Sequence, residues 1–296
     1  MALLQPDFPA LSEETLAALR LHIDGSFRAF TREHGATLER AFEPLRDFLL
    51  LIEKLLTQAP WPLVVAVLAA LAWAASRSWR IVLGTVLTLL TIGLFGMWQD
   101  TMKTVAMIGV ATLVALLLGL PIGIAMSRSP RLQAIVNPVL DVMQTLPIFV
   151  YLIPVVMLLG IGRVPGLIAV VIYAIPPVIR FTHLGLRLVD KDLLEAAEAF
   201  GGSKWQRLRH VQLPLALPTV MAGINQTIML ALAMVVIASM IGVQGLGQPV
   251  LRAISNQYFT MGLLNGLAIV GIAIIFDRVS QAYGRRLQQH LPRPRG

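Results

Sequence analysis

Hydrophobic residues in this chain fall into long runs separated by short polar punctuation. Runs at 81–98, 104–126, 146–161, 164–179, 215–241 and 261–276 approach the roughly 20 residues that a helix needs to cross a hydrocarbon core of about 30 Å. A shorter run at 61–76, flanked by tryptophan, either spans with little tilt or lies in the interface. Residues 1–60 have a different pattern. Leu16, Leu19, Ile23 and Phe27, then Leu38, Phe42, Leu45 and Leu49, recur at helical spacing, which predicts two amphipathic helices with breaks at Gly25 and Gly35. These would lie on the membrane or the rest of the protein, or form a docking surface for a partner. Pro121, Pro138, Pro147, Pro154, Pro165, Pro176, Pro177 and Pro218 punctuate the runs, and kinks of this kind are tolerated where neighbours satisfy the freed carbonyls.

Composition agrees with this pattern. The 296 residues are 56% hydrophobic and 14% charged, with a mean hydropathy of +0.75, whereas soluble domains carry about 25% charged residues. An all-α, polytopic transmembrane bundle is expected, and no cleavable leader is visible before the first run. With no cysteine, disulfides and thiolate metal sites are excluded.

The net charge of +8 is unevenly spread. Residues 1–60 hold six Lys/Arg against nine Asp/Glu, a net −3, so the remainder carries +11. With seven spans, fifteen Lys/Arg fall in one set of loops and the C-terminal segment. Only Lys103, Arg163 and Arg252 fall in the other set. The positive-inside rule then places the C-terminus in the cytoplasm and the N-terminal tail outside. The expected organisation is an extracytoplasmic tail at 1–60, two accessory spans within 61–99, a core at 100–283 and a basic cytoplasmic tail at 284–296.

The most polar passage of the second half runs from 192 to 214. Asp192 and Glu195 form a variant capping box that predicts a helix start. Leu193, Ala196, Ala197 and Phe200 share one apolar face, and Gly201 suits a left-handed C-cap. Ser203 and Gln206 repeat the capping pattern, predicting a second helix at 204–212 with Trp205, Arg207 and Arg209, after which Pro214 marks entry to the next span. A helix, turn and helix of this kind fits three roles: a solvated connector, a DNA-binding element, or a knob that docks in a groove on a partner. Flanking membrane spans disfavour access to DNA.

Glu195-Ala196-Ala197, Gly201, Val211 and Leu213-Pro214 match the spacing of the EAA signature, with valine where isoleucine is usual. On these residues the chain resembles permease subunits of ATP-binding-cassette importers. Segments 140–162 and 222–254 resemble the glycine betaine/proline betaine branch, which also includes choline importers, and the similarity runs from about Asp100 to Tyr283. The resemblance implies a type I importer permease fold in the bacterial inner membrane. It also implies a second permease copy, two cytoplasmic ATPase subunits that bind ATP and Mg, and an extracytoplasmic substrate-binding protein. Glu195, Ala196, Ala197, Gly201, Leu213 and Pro214 would then carry ATPase coupling.

The chain's own chemistry is sparse. Gly201-Gly202-Ser203-Lys204 is too short for a phosphate loop, so a partner must handle ATP. The histidines make no metal-binding spacing and no nucleophile elbow occurs, so neither a metal site nor a catalytic residue is expected. Gly242 to Gly247 follows a span rather than a strand, which favours a turn at a span end on the outer side, and the resemblance implies that it belongs to the external mouth. The polar residues in or near spans are Asp141, Gln144, Asn225, Gln226, Thr227 and Ser239. Asp141 is expected to face the path or to pair with Arg128 or Arg131. Asn225 and Gln226 would line the path or act as interhelical hydrogen bonds worth about 0.6 kcal/mol each. The rival classes are an ATP-independent channel or scaffold, an importer permease for another small solute, and a membrane enzyme.

Overall fold

A computed structural model describes residues 11–288. All its regular structure is helical: α1 (Glu13–Gln58), α2 (Trp61–Ser76), α3 (Trp79–Leu94), α4 (Trp98–Arg128), α5 (Pro130–Thr145), α6 (Ile148–Leu159), α7 (Arg163–Arg187), α8 (Lys191–Ala199), α9 (Lys204–Arg207), α10 (Leu213–Ala238), α11 (Gly247–Asn256) and α12 (Phe259–Gln288). The basic segment expected at 284–296 continues α12 as far as residue 288, and the rest of it lies outside the described residues.

The N-terminal segment is one helix of 46 residues, not two. Gly25 and Gly35 cost it about 1 kcal/mol each in propensity, but neither adopts a positive φ, so nothing stops the ladder. Its C-terminal half packs Leu45, Leu49, Ile52 and Leu56 on the core. In its N-terminal half Leu19 and Ile23, two of the four residues in the expected stripe, are exposed. After Pro60 the chain turns by 115° into α2.

The apolar run at 81–98 is also divided. Gly96, at φ +74°, closes α3. Its N–H bonds Gly93 O at 3.0 Å and that of Met97 bonds Ile92 O at 3.2 Å, the two bonds of a Schellman cap. Trp98 therefore begins α4.

Among the described residues, four helices are long and apolar enough to cross a membrane: α4, α7, a continuous helix over Lys204–Ile241, and α12. The bent pairs α1–α2 and α5–α6 raise the number to six if each counts as one span. Seven apolar runs do not give seven long helices, because α2, α3 and α6 have only 16, 16 and 12 residues.

The core is α7 packed between α4 and α10. Glycine makes these approaches close. A Cβ on Gly123 would stand 2.8 Å from Ile179 O and 2.7 Å from Thr182 Cβ, and one on Gly223 would stand 2.6 Å from Phe181 Cβ. Gly119 and Gly123 place two such positions one turn apart on α4, the small-xxx-small arrangement that lets membrane helices meet.

Gly123→Val is expected to destabilise the bundle by about 3 kcal/mol through overpacking. Gly109→Val, where a Cβ meets nothing within 4 Å, should shift stability by less than about 0.5 kcal/mol. Thermal unfolding of the purified protein in detergent compares the two.

Candidate functional site

The polar passage after α7 is a tight, self-supporting loop. Its first helix is capped by Asp190, whose side chain accepts the Asp192 N–H at 3.0 Å. The cap lies two residues earlier than the expected Asp192, which instead contributes negative charge to the first turn. At the other end Gly201 sits at φ +77°. Its N–H bonds Glu198 O at 2.8 Å while Gly202 N–H bonds Ala197 O at 3.0 Å, a second complete Schellman cap. A Cβ on Gly202 would lie 2.6 Å from Ala197 O. Ser203 and Gln206 form a reciprocal capping box, as their spacing predicts, and Arg207 pairs with Glu198 across the loop.

The second helix does not end before the next span. Leu208–Gln212 is a single π-helical turn that leads directly into α10. Pro214 accounts for the geometry: it has no N–H and its ring would clash with the carbonyl four residues back in a regular helix. Widening by one residue, with Leu213 N–H bonding Leu208 O, lets the chain continue. Leu213 packs on the small core of Leu186, Leu208, Ala216 and Val220.

No residue of α8 is buried. Glu195 and Ala196 are exposed, Ala197 is half-buried, and Phe200 is 92% exposed. A concavity of about 350 Å³ lies beside them, lined in part by Ala197, Phe200, Gly201 and Gln206. Leu213 and Pro214 are instead half-buried against the bundle. The six residues thus divide into a presented surface (195–201) and an anchor (213–214).

The expected path residues do not converge on one point. Asp141 on α5 pairs with Arg180 of α7, not with Arg128 or Arg131. The pair is largely exposed, which limits its worth to about 0–1 kcal/mol. Gln144 and Gln226 are exposed. Asn225 donates to Asp277 Oδ1 at 3.1 Å and accepts from Ser280 Oγ at 2.5 Å, and Gln281 also donates to Asp277 at 2.7 Å, tying α10 to α12. Ser239 is buried, donating to Val235 O at 3.2 Å within its own helix. Asp277 was not anticipated, although Asp277, Ser280 and Gln281 stand at the i, i+3, i+4 spacing that puts three polar groups on one helix face.

At the far end from α8, Arg163 is the junction. Its guanidinium donates to Glu53 of α1 at 3.0 Å and to Gln244 at 2.9 Å. Leu246 N–H bonds Thr104 Oγ1 at 2.9 Å, and Gly162 N–H bonds Ile241 O at 2.9 Å. The turn expected at 242–247 is therefore present, held by α1, α4 and α7. Among the described residues no group of three or more potential metal ligands occurs.

Comparison with known proteins places this geometry. The family described as binding-protein-dependent transport system inner membrane component matches residues 111–289. The glycine betaine/proline betaine transport system permease protein ProW of Escherichia coli (strain K12) is 51% identical over 233 residues, 79% of this chain and 66% of that protein's length. The glycine betaine/carnitine transport permease protein GbuB of Listeria monocytogenes is 46% identical over 229 residues, 77% of this chain and 81% of that protein. A chain of the MetNI methionine ABC transporter, solved in inward-facing conformations, superimposes with a TM-score of 0.57 at 21% identity, over 62% of this chain and 93% of that one.

A double-mutant cycle at Glu53 and Arg163, whose side chains are 13% and 32% exposed, should return a coupling of about 1 kcal/mol. The same cycle at Glu198 and Arg207, with Glu198 68% exposed, should fall below about 0.5 kcal/mol. Chemical or thermal unfolding of the four variants in each cycle measures both.

Proposed function

Because the chain belongs to the family of binding-protein-dependent transport system inner membrane components, we propose that it is the permease subunit of an ATP-driven importer for glycine betaine, proline betaine, choline or a related quaternary ammonium solute. It works with a second permease copy, two cytoplasmic ATPases that hold ATP and Mg, and an extracytoplasmic binding protein. The C-terminus is cytoplasmic and the tail preceding α2 is outside.

The observation that carries this reading is the loop from α8 to α9. Two caps, a capping box and an ion pair fix its shape without burying it, so Glu195, Ala196 and Phe200 are held outward in a preorganised form. A rigid, exposed knob loses little conformational entropy when it docks, and its second helix is continuous with a transmembrane one. Glu195 serves as a polar latch, while Ala197 and Gly201 permit close approach. Leu213 and Pro214 hold the knob to the bundle.

Asp141, Gln144 and Gln226 present polar groups on the surface of the single chain, where a second copy would enclose them in a path. Of the other polar residues expected there, Asn225 ties α10 to α12 and Ser239 is satisfied within its own helix. Tight recognition of a quaternary ammonium group needs an aromatic cage. Tyr151 and Tyr173 meet edge to face with centroids 6.1 Å apart, and the Tyr151 hydroxyl is engaged by Met143 O. High affinity is assigned to the binding protein, which leaves the permease weak enough to release its cargo.

Gly201→Val forces a β-branched residue into a left-handed conformation that costs about 1–2 kcal/mol. It should reduce betaine uptake and ATPase co-purification at least ten-fold with normal membrane insertion, while Gly201→Asn, which tolerates that conformation, keeps most of both. Intact coupling in the valine variant would refute the docking role. In proteoliposomes holding the ATPase subunit and supplied with the binding protein, labelled betaine should accumulate unchanged only with ATP, and nucleotide-independent accumulation would indicate a channel.

A further inference from the structure

Where the α2–α3 turn meets the end of α12, at the same arginine-rich end as α8, a concavity of about 470 Å³ is lined by Arg77, Ser78, Ile81, Ala282, Arg285 and Arg286. We propose that it binds the phosphodiester headgroup of an anionic phospholipid, with Arg77 and Arg285 as its principal ligands.

The charge balance is the first argument. Arg286 donates to Ala74 O at 2.7 Å and so props α12 against the last turn of α2. Among the described residues, neither Arg77 nor Arg285 has a carboxylate within ion-pair distance. The carboxylate on the same helix, Asp277, is taken by Asn225 and Gln281. Three guanidinium groups therefore line one hollow with no carboxylate among the described residues within ion-pair distance. Guanidinium is the side chain best shaped for phosphate, through paired N–H donors, and basic pockets between transmembrane helices on the cytoplasmic side are suited to lipid headgroups.

The surroundings of the hollow distinguish a lipid from a free anion. Ile81 and Ala282 give it an apolar side. Trp79 follows the lining Ser78 in the chain, and the Trp73 carbonyl accepts the Arg77 N–H at 2.8 Å; the two tryptophans are 63% and 45% exposed. Tryptophan of this kind marks the level of the headgroups, and the apolar side of the hollow offers a lipid a contact that a soluble phosphate would not use. The site lies apart from the α8–α9 loop and does not depend on the transport reading.

The test uses the full-length protein in neutral detergent, titrated with dioleoyl phosphatidylglycerol or dioleoyl phosphatidylcholine, with bound lipid read by native mass spectrometry. Phosphatidylglycerol should be preferred, and Arg77→Asn with Arg285→Gln should weaken it about 25-fold, at roughly five-fold per arginine near the surface. Asparagine is chosen because Arg77 stands at φ +49°. A control pair, Arg128→Gln with Arg131→Gln, should change it by less than about two-fold. Unchanged binding in the first pair, an equal loss in the control pair, or displacement of the lipid by inorganic phosphate would each overturn the proposal. If the first pair does not fold, tryptophan quenching by brominated phosphatidylglycerol decides. Quenching should exceed that by brominated phosphatidylcholine and should fall in Trp79→Phe; no difference between the lipids would overturn the site.

Discussion

Everything positioned in this molecule depends on how closely α7 approaches α4 and α10. Lipid chains are as apolar as leucine, so in a membrane helices gain nothing merely by hiding hydrophobic surface from one another. Contact has to come from shape, and shape here comes from glycine. With Gly119 and Gly123 on α4, the backbone of α7 approaches where a side chain would hold it off. Gly223 does the same from α10. Because α7 carries Arg163 at one end and leads into α8 at the other, fixing this helix fixes the Arg163 junction and the start of the α8–α9 loop together.

The two ends are built differently. At the Arg163 end, long-range bonds gather segments far apart in the chain: α1, α4, α7 and the turn after α10 meet through Glu53, Thr104, Gln244 and Leu246. The α8–α9 loop itself is bonded locally, within residues 190–213. A locally closed loop keeps its shape while its surface is free, which suits a partner that arrives and leaves. A junction of distant segments instead makes those segments move together.

Much of this was legible in residue order, because the relevant physics is local. Hydrophobic length located α4, α7, α10 and α12, and Ser203 with Gln206 announced its cap through a three-residue spacing. The left-handed role of Gly201 was likewise readable from its place after an amphipathic turn. What escaped depended on competition or distance. Asp190 and Asp192 are both good caps, and only the path of the chain leaving α7 decides between them. Gly25 and Gly35 looked like breaks, but a glycine ends a helix only when the chain turns there, as it does at Gly96. The partner of Asp141 lies 39 positions away on α7, and that of Asn225 lies 52 positions away on α12. No spacing rule reaches so far.

The π-helical turn at Leu208–Gln212 has a mechanical consequence. By absorbing Pro214 it leaves Lys204–Ile241 as one rod of 38 residues, about 57 Å at the usual helical rise. A rocking of roughly 10° about its midpoint would carry its two tips about 5 Å in opposite directions. Without the widened turn, the proline would act as a universal joint and absorb that motion near the membrane surface. With it, the rod is a seesaw whose far tip, at Ile241, ends on the bond to Gly162, one residue from Arg163.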